Sequence, residues 1–334
     1  MIAVLTLFAC SGGTTPPPPE PVPEPAPAAP EVAPGEIPGL DFPVVKTTAA
    51  EGDFVLAPSR DFLDRAAADG IDKSTFIWYG ATMLEPGPAE SKVKSLAGTE
   101  FTIPNSLIIP IARGQEAAVG DLLLGHWESG SGLQRAIVVG GTATEPVVRD
   151  LDISFENPSG AGQKDDAWKA DRFQALEAGR VGVSVACKKG DKVEHGVMVA
   201  LTPKKLLSLG FAGRLSAWTL DQCMPIDPNG TYAVGDTVQV PWVGTYTETK
   251  VTKVDAKLGR VFASVHDKEE GYAVQDVAKA LDGFGQGFVA GKSGGGEGKA
   301  GKGKAGGEGK AGGGGGGGGG EGKGGKGSKA KRPH

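Results

Sequence analysis

Apolar residues in the middle of this chain fall in short runs, several with a period of two, bounded by Gly, Pro, Asn and Asp, which is the mark of β-strands. Such runs are Phe54-Val55-Leu56, Thr75 to Tyr79, Phe101-Thr102-Ile103, Leu107 to Ile111, Leu122-Leu123-Leu124 and Ala136 to Val139. Further along come Gly182 to Ala186, Val197 to Leu201, Thr237 to Val240, Thr249 to Val254 and Val261 to Val265. The alternation in Thr237-Val238-Gln239-Val240-Pro241-Trp242 fits a half-buried antiparallel strand. Helical spacing is confined to three places. Ser59 is placed to cap a helix over Arg60 to Asp69, with Phe62, Leu63, Ala66 and Ala67 on one face and Gly70 as its stop. Val274 to Leu281 repeats the spacing through Val277 and Ala278, and Asp166 to Ala178 is a weaker match. The pattern predicts a mainly all-β protein with a few short helices.

The two ends depart from this pattern. From Ser11 to about Thr48, proline and small residues dominate, including Pro16 to Pro19. Such a stretch favours polyproline II and acts as a spacer reaching on the order of 100 Å at about 3.1 Å per residue. From Gly287 to His334 the chain is Gly, Lys, Glu and Ala, including the run Gly312 to Gly320. With almost no apolar side chains to offset ordering entropy, this segment is expected to be disordered. It carries nine Lys and one Arg against three Glu, a charge of +7, so the rest of the chain carries −12 of the overall −5. A basic tail on an acidic body suits contact with something anionic, whether lipopolysaccharide phosphates, a teichoic-type polymer, nucleic acid or the protein's own body, and it also suits a solvated tail that keeps the protein soluble.

Within the body, Gly-Asp followed by an apolar run recurs. It appears at Gly52-Asp53-Phe54-Val55-Leu56, at Gly120-Asp121-Leu122-Leu123-Leu124 and at Gly235-Asp236-Thr237-Val238-Gln239-Val240. The second and third copies continue into a tryptophan, Trp127 and Trp242, and Gly259 to Asp267 completes the third. This pattern resembles the Tudor/Agenet superfamily of small Src-homology-three-like barrels, best from Ala233 to Val277 and also from Ala118 to Phe155. The resemblance implies tandem Tudor-like barrels. The expected organisation is 1–9 truncated signal peptide, 10–48 anchored Pro-rich linker, 49–115 β-rich domain with one helix, 116–178 barrel, 179–229 diverged barrel, 230–286 barrel and 287–334 tail. It also implies that Trp127, Trp242, Tyr246 and Asp267 line a barrel rim, where aromatics and an acid hold a cationic ligand by cation–π attraction. The competing expectation is that these aromatics seal the barrel ends.

No pattern for catalysis, cofactor or metal emerges. Gly291-Lys292-Ser293 ends like a phosphate-binding loop, but the preceding glycines stand at the wrong distance. Ser129-Gly130-Ser131-Gly132 is out of register for a nucleophile elbow. His126, His195, His266 and His334 form no pair at ligand spacing, and Cys-x-x-Cys is absent from the sequence. The chain is expected not to be an enzyme.

The remaining signal is an address. Leu7-Phe8-Ala9-Cys10 closes an apolar stretch and opens the polar, proline-rich segment. It resembles the lipobox of bacterial lipoproteins, with Ser11 following the cysteine. That resemblance implies cleavage before Cys10, acylation of that residue, and anchorage in the cell envelope, with the outer membrane facing the periplasm as the expected address. No basic residue precedes the apolar run, so a start upstream of Met1 is expected. With Cys10 acylated, Cys187 and Cys223 remain, compatible with one disulfide in an oxidising compartment or with two separately buried thiols. The expected partners are the membrane and an envelope polymer or protein. A structural spacer, and a cytoplasmic Tudor-like reader of modified protein or nucleic acid, are the alternatives.

Overall fold

A computed structural model of the chain describes residues 33–126, 133–152 and 165–289. Cys10, Trp127, Ser129 to Gly132 and the basic tail beyond Val289 lie outside the described residues. The protein is mainly β, built from small antiparallel sheets with one α-helix among the described residues. No helix among them is long and apolar enough to cross a membrane.

Four units follow one another along the chain. The first holds β1 (Phe54–Pro58), α1 (Arg60–Asp69), β2 (Trp78–Glu85), β3 (Glu90–Ser95), β4 (Glu100–Pro104) and β5 (Ile109–Pro110). The second holds β6 (Leu122–Gly125), β7 (Gln134–Gly141), β8 (Pro146–Asp150), β9 (Asp166–Ala167) and β10 (Phe173–Ala175). The third holds β11 (Ser184–Lys189), β12 (Lys192–Leu201), β13 (Lys205–Gly210), β14 (Leu215–Thr219) and β15 (Cys223–Pro225). The fourth holds β16 (Thr237–Trp242), β17 (Thr245–Asp255), β18 (Arg260–Val265) and β19 (Lys268–Ala273).

The Gly-Asp repeat has a structural cause. Asp53, Asp121 and Asp236 each turn a side-chain oxygen back to accept the amide three residues earlier, from Ala50, Ala118 and Ala233 at 2.7, 2.7 and 2.9 Å. The preceding glycine sits at φ +81°, +97° and +92°, where a Cβ is disfavoured. Its amide, with the carbonyl of the aspartate, then clamps one residue of the second strand: Met83, Val138 and Val251 respectively. The ladder is irregular immediately after each clamped residue. Residues 179–229 carry the same device. Gly182 at φ +97° and the carbonyl of Val183 clamp Met198, and the ladder shifts between Met198 and Ala200. Val183 stands where the other copies have aspartate, so this unit lacks the side-chain turn that marks the repeat in the sequence.

In each unit the chain returns to pair with the first strand, through Leu56↔Ile109, Leu124↔Gln174, Ala186↔Met224 and Gln239↔Ala278. In three units a short 3-10 turn precedes the return, at Asn105–Leu107, Leu220–Gln222 and Val274–Asp276. This is the strand path of a small Src-homology-three-like barrel.

Two expected helices are corrected. Val274 to Leu281 winds only to Asp276, because Ala278 must extend to bond Gln239 in both directions. Asp166 to Ala178 is two short strands, broken at Asp171, whose φ of +60° does not continue a helix. The helix α1 forms as expected and stops at Gly70, φ +95°, although the Ser59 side chain makes no capping bond. The body also starts earlier than the expected linker boundary, since Ile37 and Phe42 are buried in the main core.

The barrels are packed together. One core cluster includes Val55 and Trp78 of the first barrel, Leu124 and Ile137 of the second, Val185 and Met198 of the third and Ala273 of the fourth. Burial of this kind stabilises by about 25 cal/mol per Å² of apolar surface. The third and fourth barrels share a sheet through Glu194↔Thr245, and His195 N–H donates to the Gly244 carbonyl at 2.9 Å. The first and third meet where Phe76 N–H donates to Gly213 at 2.8 Å.

Candidate functional site

Of the expected rim residues, Trp242 and Tyr246 do not share a face, and Trp127 lies outside the described residues. β16 and β17 form a hairpin whose turn is Val243-Gly244, both at positive φ, so that Trp242 pairs with Thr245 and Pro241 with Tyr246. Side chains alternate along a strand, so Trp242 and Tyr246 point to opposite faces of the ladder. Trp242 packs on the fourth barrel's core with Val238 and Val240, its ring 5.7 Å from that of His266. Tyr246 faces the third barrel, beside Ala186 and Ile226, with its ring edge-on to His195 at 5.7 Å. Asp267 is exposed at the tip of the β18–β19 hairpin, with His266 and Asp267 at φ 51° and 63°. An aromatic cage containing both Trp242 and Tyr246 is therefore excluded by strand periodicity. Cys187 and Cys223 face each other across β11 and β15 and are joined by a disulfide, their Cα atoms 4.1 Å apart.

A different group of residues converges where the second, third and fourth barrels meet. Arg135 on β7 is almost fully buried, with a side-chain exposure of 2%. Its Nε donates to Asp152 Oδ1 at 3.0 Å, its Nη1 to Ser184 Oγ at 2.6 Å, and its Nη2 lies 3.0 Å from Asp276 Oδ1. Ser184 donates its hydroxyl to Asp276. His195 Nε2 lies 3.3 Å from both Ser184 Oγ and Asp276 Oδ1. Nearby, the buried Arg260 of β18 gives Nη2 to the Asp150 carbonyl at 3.3 Å. One guanidinium thus ties together side chains of three barrels.

The electrostatics follow from burial and pairing. Burial alone would raise the Asp276 carboxyl, but Arg135, His195 and Ser184 hold it well below the usual carboxylate range. Asp152 is pushed up instead, because its burial outweighs the attraction of Arg135. Burial opposes the charge on Arg135, yet the two carboxylates outweigh it and keep the guanidinium charged. Arg260 is lowered to about 10, chiefly by burial. Tyr246 is raised well above its ordinary value by burial, and its hydroxyl has no hydrogen-bond partner among the described residues.

Serine, histidine and aspartate within reach of one another suggest nucleophilic chemistry, but the geometry argues otherwise. In a triad, the serine contacts one ring nitrogen of the histidine and the carboxylate holds the other. Here Ser184 and Asp276 crowd the same nitrogen, and Ser184 already spends its proton on Asp276. Ser184 has no exposed surface, so no carbonyl can reach it. The group acts as a lock between barrels. Among the described residues no three or more His, Cys, Asp or Glu are gathered to hold a metal ion.

An open concavity lies elsewhere, between the first and second barrels. It has a volume of about 620 Å³ and is lined by Tyr79, Leu96, Phe101, His126 and Arg172, with Gly80 among the residues at its base. The sequence drew attention to Tyr79 and His126 but placed neither in a cleft; Arg172 carried no signal at all. Neither a protein-family model nor a curated protein sequence matches this chain.

Proposed function

We propose that this chain is a non-catalytic, lipid-anchored protein of the cell envelope that presents a rigid array of small β-barrels to a partner protein or envelope polymer. The observation that carries the rigid-array reading is the burial of Arg135 among Asp152, Ser184 and Asp276, drawn from three barrels. Separating those barrels would strand a charge in a low-dielectric site, a cost of several kcal/mol. Such a body suits presentation of a fixed surface, and the Ser184–His195–Asp276 set serves the lock rather than a reaction.

The anchoring half of the reading rests on sequence. Leu7-Phe8-Ala9-Cys10 supplies the acylation site, and the proline-rich segment supplies a stalk. Two or more acyl chains suffice for stable anchorage. The basic tail adds a sequence-independent attraction to anionic polymer, screened by salt.

Fractionation tests this directly. The wild-type chain, expressed from its native locus, is expected in the membrane fraction with an intact mass that starts at Cys10 and includes acyl chains. The Cys10→Ala variant is expected in the soluble fraction without them. A soluble, unprocessed wild-type protein would sink the envelope reading and move the cytoplasmic reader to first place.

A further inference from the structure

We infer that the cleft between the first and second barrels is a ligand site for a small amphipathic carboxylate: an aromatic or branched apolar body bearing a single carboxylate. The inference deepens the binding function proposed above and rests on it for its setting. Its volume of about 620 Å³ falls in the range of roughly 300–1,000 Å³ typical of small-molecule sites.

The apolar part of the site is built, not incidental. A Cβ on Gly80 would come within 2.7 Å of Phe54, 2.9 Å of Leu96 and 3.0 Å of His126. The missing side chain lets the two barrels converge at the base of the cleft. Tyr79 and Phe101 supply aromatic wall, and Leu96 is 46% exposed at the lip. An apolar ligand would cover that leucine and gain the transfer free energy of both surfaces.

The polar part is Arg172. Its guanidinium stacks 5.3 Å over the Phe54 ring while lining the cleft. Arg113, Arg149 and Arg180 each hold a carboxylate, those of Asp53, Asp165 and Glu177. Arg172, like Arg65 and Arg214, holds none among the described residues, and of these three it is the one that lines the cleft. A planar fork of donors, fixed by stacking and facing an apolar cavity, matches one carboxylate in a bidentate pair. Arg172 is the one Lys or Arg among the described residues lining the cleft, with Asp166 and Lys169 in the smaller hollow beside it. A single cation on a mostly apolar wall suits a monoanion better than a polyvalent phosphate.

The test is calorimetric titration of the full chain, made soluble by Cys10→Ala, with 4-phenylbutyrate and with its neutral primary amide. The acid is expected to bind at least tenfold more tightly than the amide. In Arg172→Met, which keeps an apolar stem against Phe54, that preference should vanish while amide affinity stays within twofold. Retained amide binding also shows that the variant is folded. Leu96→Glu, which places a carboxylate at the lip, should weaken the acid at least tenfold. Equal affinity for acid and amide in the parent, a preference that survives Arg172→Met, or no saturable binding of either probe would each overturn the inference. Because the titration uses purified soluble protein, its failure is separate from failure of the envelope reading, which fractionation decides.

Discussion

Arg135→Ala is expected to destabilise the folded body by about 3–5 kcal/mol, the cost of breaking a buried ion pair by removing one partner. For a body of this size that lowers the thermal midpoint by about 10 °C. The reason is what remains behind. Asp276, 13% exposed, loses the cation that holds its carboxyl ionised, and Ser184 loses its donor. Asp152 is 23% exposed and can draw partly on water, which places the effect toward the lower end of that range. Exchanging the whole set for apolar residues, Arg135→Met with Asp152→Leu and Asp276→Leu, should be far milder, because no unpaired charge is then left in the interior. Urea unfolding of both variants checks the pair of expectations. A loss under 1 kcal/mol for Arg135→Ala would mean that solvent screens the network and that it locks nothing.

The second large effect is expected at the disulfide. Cys187 and Cys223 are 36 residues apart in sequence and staple the first strand of the third barrel to its last. In the chain-entropy account, closing a loop of that length stabilises by roughly 4 kcal/mol, and Cys187→Ala with Cys223→Ala should forfeit most of it. Both cysteines are buried in the main core, so some lost packing adds to the deficit. Calorimetry of the double variant measures it. A midpoint shift of less than about 2 °C would mean that the third barrel is held by its neighbours alone.

What was legible in the sequence was the local chemistry that each barrel repeats. Gly-Asp is visible because a left-handed glycine and a turn-making aspartate sit side by side, and the pair stands before the first strand of three of the four units. The third escaped that mark because Val183 makes the same backbone clamp without the side chain. The strands Glu90–Ser95 and Lys268–Ala273 were passed over because Lys92, Lys94, Glu269 and Glu270 dominate their composition. Only Ser91, Val93, Tyr272 and Ala273 of those strands are buried. Val274 to Leu281 read as a helix because apolar spacing cannot register that Ala278 is recruited by a strand far back in the chain. The expected pairing of Trp242 with Tyr246 failed on parity. The family resemblance put both on one rim, but the two-residue turn between them sets them on opposite faces.

The lock was invisible for a different reason. Arg135 bonds Ser184 across 49 residues, His195 reaches Asp276 across 81, and Ser184 reaches Asp276 across 92. No local motif spans such distances. The one available hint is Arg135 itself, a charge inside the apolar run that β7 buries from Gln134 to Val138. A buried arginine needs carboxylates, and these come from whatever barrels pack on it.

Native-state hydrogen exchange, read by mass spectrometry on the full chain, tests the central claim that Arg135 holds three barrels as one body. The account predicts that peptides covering β7, β11 and β18 lose protection together, at one common opening free energy, and that Arg135→Ala lowers it for all three. Separate opening of the fourth barrel while the second and third stay protected, unchanged by that substitution, would contradict it.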